Sequence, residues 1–346
     1  MKSKQIMLVI VCALSLFGCS REEKIPAQEK GNSQRLAEKT SVAMSSEDVL
    51  RERLSKRGIE IGMNEVSGAL VVVGTAAEEN VVNAAMVTEA IRQRIFRKAF
   101  ESGLAEIAEY ICTEVLDGKR TRATQQLRGV MMLHFVEAYN AAEKTYDIAV
   151  AVVWSEKLSQ VAADVCEGKP ILAGKPGRQS LAAWVKSVEN VEMLLGGKWF
   201  VDDMGDRWIV GMVTKDGSMS SYLSQWVKDS KEARLFVGEE FGTSDKEDYL
   251  SKMYALNWAS RMVSDDVSVL RELGGGNGSD DDFREEIKVN ATFPLLQENE
   301  RVKWFERKFV SPLSHKEIEV LIAAVRCNDI AIGRKEYVDR RIAGTK

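Results

Sequence analysis

Between Val81 and about Leu116, apolar residues recur every three or four positions: Ile91, Ile95, Phe96, Phe100, Leu104, Ile107, Ala108 and Ile111. Arg92, Arg94, Arg97, Lys98, Glu101, Glu106 and Glu109 fill the positions between them. This spacing predicts a long amphipathic helix with a solvated charged face. The period then changes to two. Tyr146, Ile148, Val150, Val152 and Trp154 fall on one face of a strand, with Asp147, Ala149, Ala151 and Val153 on the other. The larger set must cover a core, and the helix is the natural cover. Upstream, the β-branched run Ala69-Leu70-Val71-Val72-Val73-Gly74 predicts a buried strand. A further strand is expected over Gln126 to Tyr139, with a polar turn around Asn140 to Thr145. Ser45-Ser46-Glu47-Asp48 suits a helix amino terminus, and that short helix should stop at Gly58.

The second half repeats the plan. Trp208 to Val213 reads as a strand entered through the turn Asp202-Asp203-Met204-Gly205-Asp206. A helix from about Ser218 to Phe241 carries Tyr222, Trp226, Ala233 and Phe236 on its apolar side, and strands follow at Val302 to Phe309 and Glu317 to Arg326. Ile148, Val150 and Val152 lie 170 positions before Ile318, Val320 and Ile322, whereas Ser102, Ala105 and Ile107 lie 128 before Ser230, Ala233 and Leu235. The difference assigns 42 extra residues to an insertion, read as a helix near Lys246 to Val263 and the loop Gly274 to Asp282. The expected fold is α+β: two divergent strand-helix-hairpin units, each a long helix packed on a mainly antiparallel sheet. The first domain spans 46–174 and the second 178–346, with the insertion at about 243–285; Pro170 and the stretch Gly174 to Gly177 mark the divide.

The amino terminus follows another pattern. Lys2 and Lys4 precede an almost wholly apolar run, Ile6 to Phe17, which ends at Gly18-Cys19. The run is shorter than the roughly 20 residues that span a bilayer. It resembles the signal peptide of bacterial prolipoproteins, whose lipobox ends in the cysteine that is cleaved and acylated. The resemblance implies a signal peptide over 1–18, cleavage between Gly18 and Cys19, a lipid on Cys19, and a flexible tether over 19–45. Ser20 after that cysteine implies release to the outer membrane, facing the periplasm. The two units also resemble small bacterial outer-membrane lipoproteins and the amino-terminal domain of a flagellar assembly protein. Ala69 to Gly74, the helix around Ala99 to Ile111, and Tyr146 to Trp154 carry that resemblance.

Composition narrows the chemistry. With 346 residues, 45% of them hydrophobic, the chain can bury two ordinary cores. Its formal net charge of -4 becomes -6 without Lys2 and Lys4, the two signs are mixed, and there is no basic block, which argues against a nucleic-acid partner. Beyond Cys12 and Cys19 stand Cys112, Cys166 and Cys327, without CxxC spacing: either all are free thiols, or one of three possible pairs is bridged. Of only two histidines, His134 reads as a packed or edge residue and His315 as exposed in a turn. Asp280-Asp281-Asp282 lacks the ligand order of a calcium loop. Gly196-Gly197-Lys198 matches only the end of a phosphate loop. No metal or cofactor is expected. Most tryptophans fit core packing, but Trp199 and Trp208, flanking Asp202, Asp203 and Asp206, form a candidate exposed aromatic turn.

The expected role is that of a non-catalytic binding or assembly component, attached to the membrane through lipidated Cys19 and engaging an envelope protein partner. One alternative is an envelope hydrolase or peptidoglycan-modifying enzyme with convergent carboxyls near Asp202 to Asp206. Another is a carrier holding an apolar ligand between helix and sheet.

Overall fold

Four helices begin where a serine or threonine side chain, Ser45, Thr88, Ser155 or Ser180, accepts a backbone N–H of the first turn. In the computed structural model, which describes residues 44–188, 195–229, 246–273, 283–291, 301–311 and 313–344, helix α1 (Ser46–Lys56) starts where the Asp48 N–H donates to Oγ of Ser45. Gly58 follows its end at φ 69°, the left-handed conformation that glycine adopts without strain. Strands β1 (Gly62–Asn64) and β2 (Ala69–Glu78) form a hairpin. Helix α2 (Glu89–Ile111) is capped by Thr88. It is shorter than the apolar period suggested, because an irregular segment, with Asn80 at φ 63°, and a short 3-10 turn fill 79–88. After β3 (Glu114–Val115) come β4 (Arg120–Arg128), β5 (Met131–Asn140) and β6 (Thr145–Ser155). The single strand expected over Gln126 to Tyr139 is therefore two strands. Gly129, at φ 68°, breaks it, and a Cβ there would run into the Leu158 carbonyl. Helices α3 (Glu156–Glu167) and α4 (Leu181–Ser187) lead into the second half.

There β7 (Gly196–Val201) and β8 (Arg207–Lys215) form another hairpin, followed by α5 (Met219–Asp229) and α6 (Lys246–Val263). Strands β9 (Ser264–Leu273), β10 (Phe283–Ala291), β11 (Lys303–Val310) and β12 (Glu317–Arg326) precede α7 (Cys327–Gly344). The fold is α+β, and all strand pairs are antiparallel. Two sheets share one order, β1-β2-β6-β5 and β7-β8-β12-β11; the third, β10-β9-β4-β3, joins a hairpin from each half through β4 and β9.

The helix equivalent to α2 is α6, not the segment beginning at Ser218. A Cβ on Gly74 of β2 would collide with the Ala99 carbonyl oxygen and the Gly103 nitrogen of α2, and a Cβ on Gly211 of β8 would collide with the Ala255 carbonyl oxygen and the Ala259 nitrogen of α6. Both helices thus lie on glycine, where backbones can approach closely. The strand correspondence shifts too. Gly74 pairs with Val150, and Gly211 with Ala323, which sets the offset at 173 and not 170. The odd change reverses the face: Ile148, Val150 and Val152 pack under α2 with Leu321, Ala323 and Val325 in the same core, whereas Val320 and Ile322 pack against α4 on the opposite face.

That first core runs through both halves. Phe96 lies 5.4 Å, centroid to centroid, from Phe135 and from Trp258 of α6; Phe100 lies 5.2 Å from Trp258. Helix α1 covers Val73, Val136, Ala149 and Ala151 on the outer face of the first sheet, and α4 covers Phe200, Trp208, Val210 and Met212 on that of the second. The stretch Gly174 to Gly177 is held along the β7–β8 turn, with Gly174 N–H on Gly205 O at 2.8 Å and Gly177 N–H on Asp202 O at 2.7 Å. Gly18, Cys19, the tether to residue 43, the remainder of the Ser218 to Phe241 segment and the Gly274 to Asp282 loop lie outside the described residues.

Candidate functional site

The turn between β7 and β8 is built around one carboxylate. Asp202 Oδ1 accepts the Met204 N–H at 3.0 Å and the Asp206 N–H at 2.9 Å, and Oδ2 accepts the Trp208 indole N–H at 2.9 Å. Gly205, at φ 84°, closes the turn with its N–H on Asp202 O. Asp206 takes the Arg326 guanidinium at 3.1 Å, and only Asp203 is left exposed. Trp199 is 6% exposed and belongs to the central core; Trp208 is 5% exposed and belongs to the outer core under α4. Alternation along the hairpin sends the two rings to different cores, so they form no exposed platform. The carboxylates form a structural turn, with no paired acid and base.

Gly196-Gly197-Lys198 has an equally structural origin. A Cβ on Gly196 would meet the Phe96 ring, and one on Gly197 would meet the Trp258 carbonyl and the Met262 side chain. The glycines admit α2 and α6 to β7. Lys198 itself is buried, and burial pushes its ammonium down to about 7. His134 on β5 lies close by, half-buried, with Nε2 at 3.4 Å from Arg53 Nη1. Burial, and then Arg57, Arg53 and Lys198, push His134 down to about 4. It is a neutral ring in a cationic setting at neutral pH, held between α1 and the two sheets. His315 is exposed in the turn before β12, at φ 54°.

The charged face expected on α2 is solvated only in part. Arg92 is fully buried: Nη1 donates to Glu89, Nε to Glu137 Oε2 at 2.8 Å, and Nη2 to Ser311 Oγ at 3.4 Å. Tyr146 O–H donates to Glu137 at 2.6 Å, Thr214 O–H donates to Glu89, and Gln93 Nε2 donates to Thr214 at 2.7 Å. Burial raises Glu89 against the opposing pull of Arg92 and Thr214. Asp216 and Ser218, in the second half, accept the N–H groups of Glu89 and Ala90 at the start of α2. The network ties the halves together through buried polar groups that are bonded to one another. In a second cluster Glu101 is half-buried, which raises its carboxyl, yet Arg97 at 2.8 Å and Arg261 at 3.2 Å hold it below the usual range.

A concave surface lies elsewhere among the described residues. A cleft of about 710 Å³ separates the Gly168–Ile171 connection from α7, with Pro170, Ile171, Arg326, Ala331, Ile332 and Lys335 on its walls. Its base is tight: Gly168, at φ 72°, approaches the Ala331 carbonyl and Lys335 nitrogen so closely that a Cβ would come within 3.1 and 3.2 Å of them. Sequence reasoning missed this cleft; its one signal was the Pro170 to Gly177 stretch, read only as a divide. Cys112, Cys166 and Cys327 are free thiols, and burial pushes Cys327 up to about 12. Among the described residues no group of three or more His, Cys, Asp or Glu side chains is placed to hold a metal ion.

No protein-family model and no curated protein matches the chain. Among solved structures, the crystal structure of hypothetical protein FTT1539c from Francisella tularensis is similar at 12% identity and a TM-score of 0.40, over 83% of this chain and 93% of that one.

Proposed function

We propose that the chain is a lipid-anchored bacterial envelope protein, held by acylated Cys19 and acting through protein recognition. The observation that carries this reading is the run from Lys2 and Lys4 through Ile6 to Phe17, ending in Gly18-Cys19. Acyl chains contribute about 0.8 kcal/mol per buried methylene, so two or more of them hold a protein on a membrane without help from its folded part. Among the described residues no helix is long and apolar enough to cross a membrane. The surface offered to an envelope partner is the cleft beside α7, with Pro170, Ile171 and Ile332 on its walls. The hydrolase alternative needs free, convergent carboxyls, and Asp202 and Asp206 are engaged by their own turn and by Arg326. The carrier alternative needs space between helix and sheet, and at Gly74 and Gly211 the helix backbone fills it. Labelled palmitate fed to expressing cells should enter the wild-type chain and sediment with membranes. Cys19→Ala should abolish both, and retention of label by that variant would refute the anchor.

A further inference from the structure

Strand β11 is the edge of its sheet, and among the described residues nothing pairs with its outer side. Its register with β12 runs without a shift from Lys303↔Ala324 to Val310↔Glu317, so it has no bulge to spoil an added strand. The next residue fixes which backbone groups face outward. Ser311 N–H bonds to Lys316 O at 2.8 Å, and antiparallel alternation then turns Lys303, Phe305, Arg307 and Phe309 toward β12. The N–H and C=O groups of Trp304, Glu306, Lys308 and Val310 point to the open edge. Their side chains share one face, where Trp304 is 37% and Val310 66% exposed, with Glu306 and Lys308 exposed between them.

These four positions complement themselves. Two β11 strands related by a twofold axis at Arg307 place Glu306 opposite the partner's Lys308 and Trp304 opposite the partner's Val310, each contact occurring twice. Shifting the axis to Glu306 or to Lys308 sets like charges face to face, which destabilises a strand pair. One register is thus selected by charge and by apolar match together. On the other face Phe305 meets the partner's Phe309. Arg307 is held back by the carbonyls of Val185, Lys186 and Val188 at the end of α4, so the two guanidinium groups do not compete for the axis. We propose that the chain self-associates through antiparallel pairing of β11 with β11 of a second copy, making one sheet continuous across the pair. The pairing does not depend on the lipid anchor.

The test is sedimentation equilibrium of the full chain in detergent micelles. The wild type should sediment as two copies per particle. Glu306→Lys and Lys308→Glu should each weaken pairing by about tenfold or more, because each sets like charges opposite one another on both sides of the axis. An equimolar mixture of the two variants should pair again, since every changed charge then faces its opposite. Both side chains are exposed, so Glu306→Lys should keep the wild-type thermal unfolding profile, and Lys308→Glu, which gives up surface ion pairs to Glu317 and Glu319, should lower it only slightly. A single-copy wild type would overturn the proposal and leave the edge to an extended segment of another protein. Undiminished pairing in both single variants, or a mixture no better paired than either variant, would also overturn it.

Discussion

Arg92 of α2 donates from Nε to Oε2 of Glu137 on β5 at 2.8 Å, and both side chains are buried. The same guanidinium reaches Glu89, which Thr214 of the second half also contacts. Removing the cation leaves two carboxylates in low dielectric, a far larger loss than the net value of the pair itself. Arg92→Met should therefore lower unfolding free energy by about 3 to 5 kcal/mol in urea titrations. A loss under about 1 kcal/mol would show that the cluster is not the joint between the halves.

Glu89 adds a pH signature. Its folded pKa lies above its ordinary value, so the native state takes up protons that the unfolded chain has released. The stability gained is complete below the ordinary carboxyl pKa and is lost as pH rises through the raised one. Glu89→Gln should flatten that fall in a plot of unfolding free energy against pH. An unchanged slope would contradict the burial assigned to Glu89.

His134 should show the opposite trend. Its pKa is pushed from the usual 6.5 to about 4, so stability falls as pH drops from about 6.5 to about 4, by up to about 3 kcal/mol in all. With only His134 and His315 in the chain, ring-proton NMR can follow each. A His134 midpoint near 6.5 would show that the ring is not enclosed by Arg53, Arg57 and Lys198.

Gly211 tests the geometry of the fold. A methyl there would overlap the Ala255 carbonyl, so Gly211→Ala should cost about 3 kcal/mol by forcing α6 off the sheet. Gly217→Ala, where nothing lies within 4 Å of a Cβ, serves as the control and should be nearly neutral. Equal melting temperatures for the two variants would contradict the close crossing.

Asp202→Ala tests the turn. It strips acceptors from the Met204, Asp206 and Trp208 N–H groups, and the unsatisfied buried indole alone should cost about 1 to 3 kcal/mol.

What was legible in the chain follows from how its strands are buried. Strand β6 has large residues toward α2 and small ones toward α1, so its alternation gave the correct face at Tyr146, Ile148, Val150 and Val152. Strand β12 is apolar on both faces, and a period of two then carries no phase; that is why Ile318, Val320 and Ile322 matched at an offset that points them the wrong way. The role of α6 was hidden for a related reason. What marks it is the backbone contact with Gly211, which no side-chain pattern records. Arg92 sits among charged neighbours and reads as solvated; its burial depends on Glu137 and Ser311, far along the chain. The aromatic turn failed as a platform because Trp199 and Trp208 lie on facing strands that send them to different cores. Strand β11 was legible as a strand, but the self-complementary order of Trp304, Glu306, Lys308 and Val310 acquires meaning only once the strand is known to be an edge.

The most direct measurement of the central claim is mass spectrometry of the mature amino-terminal peptide, isolated from the membrane fraction of a bacterial host. The account predicts a chain that begins at Cys19 and carries acyl chains on that residue. A mature chain that retains Met1, or that begins after Cys19 without lipid, would contradict it.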